Sequence, residues 1–142
     1  MKVLIDSNVA LDMLLERDTS YDPALEVFSL AKGGFGVFVS ASTITDIYYI
    51  IRKLKKSRDI ALESIKNLIA MVDVAAVTDN EIRLAVNLDW HDFEDAVQYA
   101  TGESIAVDYI VTRNKKDFAS ATLPVVSPDE LLVLLMPPDE SV

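Results

Sequence analysis

Carboxylate and amide side chains occur at four places in this chain where an apolar segment ends or a helical segment begins. These residues are Asp6, Asp46, Asp92 with Asp95, and Asn114 with Asp117. Carboxylates that gather in one crevice repel one another, and a hard divalent cation relieves that repulsion. The chain has no cysteine and a single histidine, His91, which we interpret as a surface or loop residue. An oxygen ligand set of this kind suits Mg²⁺ or Mn²⁺ rather than zinc.

The elements that must position these groups alternate along the chain. Short apolar runs predict strands at 3–5, 35–41, 74–77, 108–112 and, more weakly, 123–126. Segments with helical patterning lie between them, and the last helix begins at the sequence Ser-Pro-Asp-Glu, 127–130. This order predicts the α/β class, as a three-layer α/β/α sandwich with a central, mostly parallel sheet of four to five strands. We expect one domain over 1–136 and a short C-terminal tail, 137–142.

In an open parallel sheet the carboxyl ends of the strands meet at one edge, where sites form. Each polar residue also has a purely structural interpretation. Asp6 and Asp92 are suitable helix N-caps, and Asn114 and Asp117 are common turn residues. Thr43 and Asp46 have the spacing of a capping box, with Asp in the place of Glu. These interpretations account for each residue singly and do not explain why the acids fall at the same predicted edge.

Composition narrows the possible functions. The 142 residues hold 23 acids and 13 Lys or Arg, a net charge of −10, which argues against a broad basic surface for nucleic acid. Five of the basic residues lie within 52–58, Arg52 among them. The N-terminal apolar run is too short for a signal peptide, and 131–136 is too short to span a bilayer. We expect a cytoplasmic protein without a membrane segment.

The four acidic stretches together resemble the PIN domain family. The stretches are VLIDSNVALDMLL, SASTITDIYYIIRK, DFEDAVQYA and DYIVTRNKKDF, which occur in the family's order and with similar spacing over nearly the whole chain. By this resemblance, Asp6, Asp46 and Asp95 match the first three acids of the family, and Asn114 falls where many members have the fourth. Asp117 follows three residues later. Ser7, Asn8 and Thr112 match polar residues that support the site.

The resemblance implies a metal-dependent endoribonuclease of the α/β/α fold, and many members are toxins of toxin–antitoxin pairs and homodimers. It implies Asp6, Asp46, Asp95 and Asp117 as catalytic residues and Asp6, Asp95, Asp92 and Asn114 as ligands of Mg²⁺ or Mn²⁺. Contacts to RNA are expected from Arg113, Lys115, Lys116 and Arg52. Expected partners are RNA, an antitoxin protein and a second copy of the chain, for which 48–51 is either a contact face or plain core.

Two departures from the family pattern leave an alternative open. Asp46 is one methylene shorter than the Glu of most members, and the neutral Asn114 removes a charge from one corner of the site. Asp92 is positioned to replace some of that charge. The alternative is a catalytically degenerate PIN domain that binds RNA or protein without cleaving it.

Overall fold

The computed structural model of the chain describes residues 1–136; the predicted tail, 137–142, lies outside the described residues. Five strands form one sheet in the order β3-β2-β1-β4-β5, and every pairing is parallel. The strands are β1 (Lys2–Ile5), β2 (Gly36–Ser40), β3 (Asp73–Ala75), β4 (Tyr109–Val111) and β5 (Val125–Val126). The predicted α/β class and the parallel sheet are confirmed.

Within residues 1–136, seven α-helices connect and cover the strands. They are α1 (Ser7–Leu14), α2 (Tyr21–Ser29), α3 (Ala41–Lys55), α4 (Arg58–Met71), α5 (Asp79–Leu88), α6 (Phe93–Ser104) and α7 (Pro128–Leu135). Successive residues of β1 point to opposite faces of the sheet. Val3 and Ile5 pack in the larger core, which α1–α4 and α7 cover, whereas Leu4 packs on the other face with Tyr99 of α6. The predicted three layers are therefore present.

Side-chain caps define where several helices begin. Asp92 is the N-cap of α6, as predicted, because its carboxylate accepts a hydrogen bond of 3.0 Å from the backbone N–H of Asp95. The predicted capping box between Thr43 and Asp46 is wrong. α3 begins earlier, at Ala41, and its N-cap is Ser40, whose hydroxyl accepts from the N–H of Thr43. Asp46 therefore lies in the second turn of α3, where its carboxylate is free of a capping role.

No helix among residues 1–136 is long and apolar enough to cross a membrane.

Candidate active site

The sheet reverses its strand order at β1, which lies between β2 and β4. In parallel α/β sheets a crevice opens beyond the carboxyl ends of the strands at such a reversal. Asp6 follows β1 directly, Ser40 ends β2, and Thr112 follows β4. The N-terminal turn of α6 brings further acids to the same place. The fold therefore gathers residues that are up to about a hundred positions apart in sequence.

Asp6 is held on both carboxylate oxygens. Its Oδ1 accepts hydrogen bonds from the backbone N–H of Ser7 (2.8 Å) and from Nε2 of Gln98 (3.2 Å). Its Oδ2 accepts from the hydroxyl of Thr112 (2.8 Å) and, at 3.5 Å, from Nδ2 of Asn8. The side chain is 8% exposed and is the N-cap of α1. These four donors fix the orientation of the Asp6 carboxylate.

Thr112 and Asn8 connect β4 to the start of α1. The Thr112 hydroxyl accepts from Nδ2 of Asn8 and from the backbone N–H of Asn114, both at 3.1 Å. Oδ1 of Asn8 accepts from the N–H of Arg113 at 3.2 Å. These contacts tie the loop after β4 to β1 and fix the direction of the Asp6 carboxylate.

A second group of polar residues buttresses Asp6 from α3 and α6. Nε2 of Gln98 also donates to the hydroxyl of Thr43 at 2.7 Å, and that hydroxyl accepts from Ser40 at 2.8 Å. All three residues are buried. Oε1 of Gln98 has no hydrogen-bond partner among residues 1–136. A buried polar side chain costs free energy unless it is paired, so the position of Gln98 is explained by its contact with Asp6 rather than by packing.

Two acids of the site, Asp95 and Glu94, have raised pKa values beside neighbouring carboxylates. The pKa of Asp95 is raised from 3.8 to about 7, first by burial and then by the charges of Asp92, Asp6 and Asp117. The pKa of Glu94 is raised from 4.5 to about 7, chiefly because its carboxyl group shares a hydrogen bond with Asp46 and is partly buried beside it. Raised carboxyl pKa values of this kind are typical of functional sites in which like charges are held together.

Five of the predicted acids therefore converge, namely Asp6, Asp46, Asp92, Asp95 and Asp117. Asn114 contacts the site through its backbone N–H, and its side chain is exposed. Ser7 likewise acts on Asp6 through its backbone. Among residues 1–136, no three carboxylate or imidazole groups lie close enough to form a complete metal cage. The donor set consists of oxygens under mutual repulsion, and this chemistry fits a hard divalent cation that keeps several water ligands.

The predicted RNA-binding cations differ in whether they are paired with a carboxylate. The guanidinium of Arg113 forms two hydrogen bonds to the buried carboxylate of Asp12, one of them 3.1 Å long. Lys115 pairs with Glu130 of α7 at 2.9 Å. Lys116 forms no ion pair with any residue in 1–136 and borders the acidic cluster. Of these three cations in the loop after β4, Lys116 is the one with a free ammonium group.

Arg52 lies farther away, in the last turn of α3 with Lys53 and Lys55. Six residues of α-helix separate it from Asp46, a rise of about 9 Å. Cations in a last helical turn interact favourably with the helix dipole, which is a sufficient structural explanation for this cluster. In the predicted contact face 48–51, Ile51 is buried, whereas Tyr49 and Ile50 are exposed.

Besides the hydroxyl residues Ser40 and Thr43, three residues of the site were not predicted as site residues from the sequence. Glu94 lies between two acids that were predicted, and its helical position places it beside Asp46. Gln98 follows Asp95 by three residues, so it lies on the same helix face, and it is flanked by small and apolar residues. A neutral polar residue on an otherwise buried helix face was the available signal. Asp12 had the same signal, since it interrupts an apolar stretch of α1.

Comparison with known proteins agrees with this fold. The pattern of the PIN domain family matches residues 2–116, so the chain belongs to that family. Ribonuclease VapC1 from Aquifex aeolicus is 27% identical over 135 residues, which covers 91% of this chain and 92% of that protein.

Two solved structures illustrate the similarity of fold. One is VapBC2 from Rickettsia felis bound to a DNA fragment of its promoter, with a TM-score of 0.71, 15% identity, and coverage of 89% of this chain and 98% of that chain. A second is VapC20 from Mycobacterium tuberculosis, described as a toxin that cleaves the sarcin-ricin loop. It has a TM-score of 0.68, 14% identity, and coverage of 84% and 95%. At these identities the likeness concerns the fold.

Proposed function

We propose that this chain is a metal-dependent endoribonuclease and the toxin of a toxin–antitoxin pair. The observation that supports the proposal most is the convergence of acids on the anchored carboxylate of Asp6, with the pKa of Asp95 raised to about 7. Membership of the PIN domain family and the similarity to ribonuclease VapC1 agree with the proposal.

In the proposed reaction the side chains have distinct roles. Asp6 and Asp95 would hold a Mg²⁺ or Mn²⁺ ion, with Asp46, Glu94 and Asp117 as supporting acids. Asp92 adds negative charge beside them. A bound divalent cation polarises the phosphate and lowers the pKa of a water ligand. Gln98, Thr112 and Asn8 hold Asp6 in place while the charge of the scissile phosphate changes.

The substrate is polyanionic and the protein has a net charge of −10. Lys116 therefore becomes the proposed phosphate contact of the site loop, because Arg113 and Lys115 are paired with carboxylates. Arg113 acts indirectly, since its pairing with Asp12 fixes the loop that holds Asn114 and Lys116. A divalent cation held by these acids would reduce the repulsion that a phosphate meets there.

The variant Asp95→Asn tests this proposal. Its backbone N–H still donates to the Asp92 cap, so α6 keeps its N-terminus. Incubation of a mixed RNA pool with Mg²⁺ or Mn²⁺ should give defined cleavage sites with the wild-type chain and none with the variant. Glu63→Gln, on the exposed face of α4, serves as a matched control and should cleave normally. Full activity of Asp95→Asn would refute the assignment.

A second readout does not depend on cleavage. Binding of Mn²⁺ to the folded state raises the midpoint of thermal unfolding by mass action. We expect a saturable rise for the wild-type chain and a much smaller one for Asp95→Asn. An equal rise for both chains would place the ion elsewhere.

The proposed partners are an antitoxin and a second copy of the chain. Similar folds occur in complexes described as toxin–antitoxin assemblies, one of them from Klebsiella pneumoniae with a TM-score of 0.68. Exposed apolar side chains on α3 include Tyr49 and Leu54, which are 60% and 56% exposed. Apolar surface of this kind suits a protein contact. Sedimentation of the purified chain at several concentrations would detect the dimer.

The alternative is a PIN domain that binds RNA without cleaving it. Two observations favour it, namely the neutral Asn114 and the lack of a complete three-ligand group among residues 1–136. A chain of this kind would bind RNA yet release no fragments with either metal ion. The cleavage assay, run beside a filter-binding assay, separates the two functions.

A further inference from the structure

A cavity of about 470 Å³ opens beside the acidic cluster. Its walls come from the turn between α5 and α6, from the start of α6 and from the segment after β4. Its size is in the range of small-molecule sites. Asp95 and Asp117 border both the cavity and the cluster of acids. A group bound in the cavity would therefore lie directly next to the scissile phosphate of the proposed reaction.

Trp90, the only tryptophan of the chain, forms part of the cavity wall. Its ring packs on Tyr99 with centroids 5.0 Å apart and planes inclined by 31°, and its other aromatic neighbour is Phe118 at 6.0 Å and 85°. Two aromatic contacts at different angles fix the orientation of the indole. His91, which is exposed, adds a second flat ring at the same wall.

The charges around the cavity decide which part of a nucleotide fits there. Four carboxylates line it, Asp89, Asp92, Asp95 and Asp117, against one cation, Lys116. A phosphate would be repelled from such a lining, whereas a nucleobase is uncharged. Bases stack on aromatic and histidine rings, and carboxylates accept hydrogen bonds from exocyclic amino groups.

We propose that this cavity, bounded by Trp90, His91, Asp89 and Ser120, is a base-binding subsite for the nucleotide next to the cleaved phosphodiester. It takes a base with an exocyclic amino group in preference to uracil. The inference rests on the proposed ribonuclease function and adds to it a source of sequence preference. Lys116, at the cavity edge, faces the neighbouring phosphate.

Fluorescence of the single tryptophan tests the subsite without any cleavage. The full chain is titrated with adenosine, cytidine, uridine and ribose, with excitation at the red edge of tryptophan absorption and correction for nucleoside absorption. We expect saturable quenching by adenosine and cytidine, roughly tenfold weaker binding of uridine, and no effect of ribose. Absence of saturable quenching by every nucleoside, or equal quenching by ribose, would overturn the proposal.

Variants then locate the binding. Ser120→Phe adds a large ring at an exposed position of the cavity lining and should abolish nucleoside quenching. Asp89→Asn should reduce the preference for adenosine over uridine, because the amide can also donate hydrogen bonds to uracil carbonyls. Lys66→Ala, exposed on α4 and outside the cavity, is the control and should leave binding unchanged. Unchanged quenching in Ser120→Phe would overturn the location.

The test distinguishes failure of the subsite from failure of the proposed function. Nucleoside binding in a chain that cleaves no RNA supports the subsite and refutes the ribonuclease. Cleavage of RNA by a chain that binds no nucleoside supports the ribonuclease and refutes the subsite. When both are present, RNA that lacks the base beside the cut should show a roughly tenfold higher KM. An unchanged KM would refute the role of the subsite in cleavage.

Discussion

Replacement of Asp95 by asparagine should stabilise the folded chain at alkaline pH. Its pKa is raised from 3.8 to about 7 by burial and by three neighbouring carboxylates. The folded state therefore binds this proton more tightly than the unfolded state does. Stability from this group is fully present below the unfolded value and is lost as pH rises through about 7. Asparagine has nearly the same shape and no charge, so the variant does not lose this stability as the pH rises.

The magnitude follows from the size of the shift. At 1.36 kcal/mol per pKa unit, the rise in the pKa of Asp95 from 3.8 to about 7 corresponds to an upper limit of about 4 kcal/mol in the free energy of unfolding. The side chain is only partly buried, so solvent screening reduces this to about 1.5–2 kcal/mol. Asparagine also gives up the favourable interaction of a carboxylate with the first turn of α6, about 0.5 kcal/mol. A net gain of about 1–1.5 kcal/mol remains.

Urea unfolding of the wild-type and variant chains, followed by circular dichroism, measures this gain. The difference in free energy of unfolding should be largest near pH 8 and should shrink steadily as the pH falls toward about 4. Glu63→Gln on α4 is the control, because an exposed carboxylate without an ion pair in 1–136 should change stability by less than about 0.5 kcal/mol at either pH.

A variant that is no more stable than the wild type near pH 8 would contradict the reasoning. A gain of equal size at every pH would also contradict it, because that result would assign the gain to packing. A stabilised variant that no longer cleaves RNA would show in addition that the lost activity does not come from unfolding.

Four further variants test other contacts in and around the site. Gln98→Leu removes a hydrogen bond from Asp6, the proposed metal ligand, and leaves Thr43 with one partner fewer. We expect the free energy of unfolding in urea to fall by about 1–3 kcal/mol and cleavage to slow. An unchanged cleavage rate would make Gln98 a packing residue only. Arg113→Ala leaves the buried Asp12 carboxylate with fewer partners and should lower the free energy of unfolding by about 2–3 kcal/mol. Lys115→Ala breaks an exposed ion pair and should lower it by about 0–1 kcal/mol. Equal losses in the two variants would contradict this difference. Lys116→Ala should flatten the dependence of RNA affinity on salt, and an unchanged slope would exclude a phosphate contact.

Strands and helices could be predicted because their signals are local. The apolar run before Asp6 and the Ser-Pro-Asp-Glu start of α7 depend on neighbouring residues alone, and both elements are present. The start of α3 could not be fixed in this way. Ser40 and Thr43 are both good cap residues, and Ser40 is the N-cap because pairing with β3 extends β2 to that residue.

The acids of the site were predictable as a set, whereas their supports were not. Parallel strands end at one edge, so an acid after β1 and acids at the start of α6 were expected to approach each other. The contacts of Gln98 with Asp6 and of Arg113 with Asp12 span 92 and 101 residues. Such pairs depend on the register of packed elements, and one sequence does not encode that register in a local pattern.

The position of β1 has a consequence for the order in which the molecule is synthesised. β1 precedes the other four strands, yet one of its neighbours in the sheet is β4, and Asp6 accepts a hydrogen bond from Thr112 across 106 residues. A nascent chain that ends before β4 leaves one edge of β1 unpaired and the Asp6 carboxylate without this donor. Synthesis must therefore proceed beyond Thr112 before this contact of the site can form. A nascent chain therefore carries the Asp6 carboxylate long before it carries the hydroxyl that helps to hold that carboxylate.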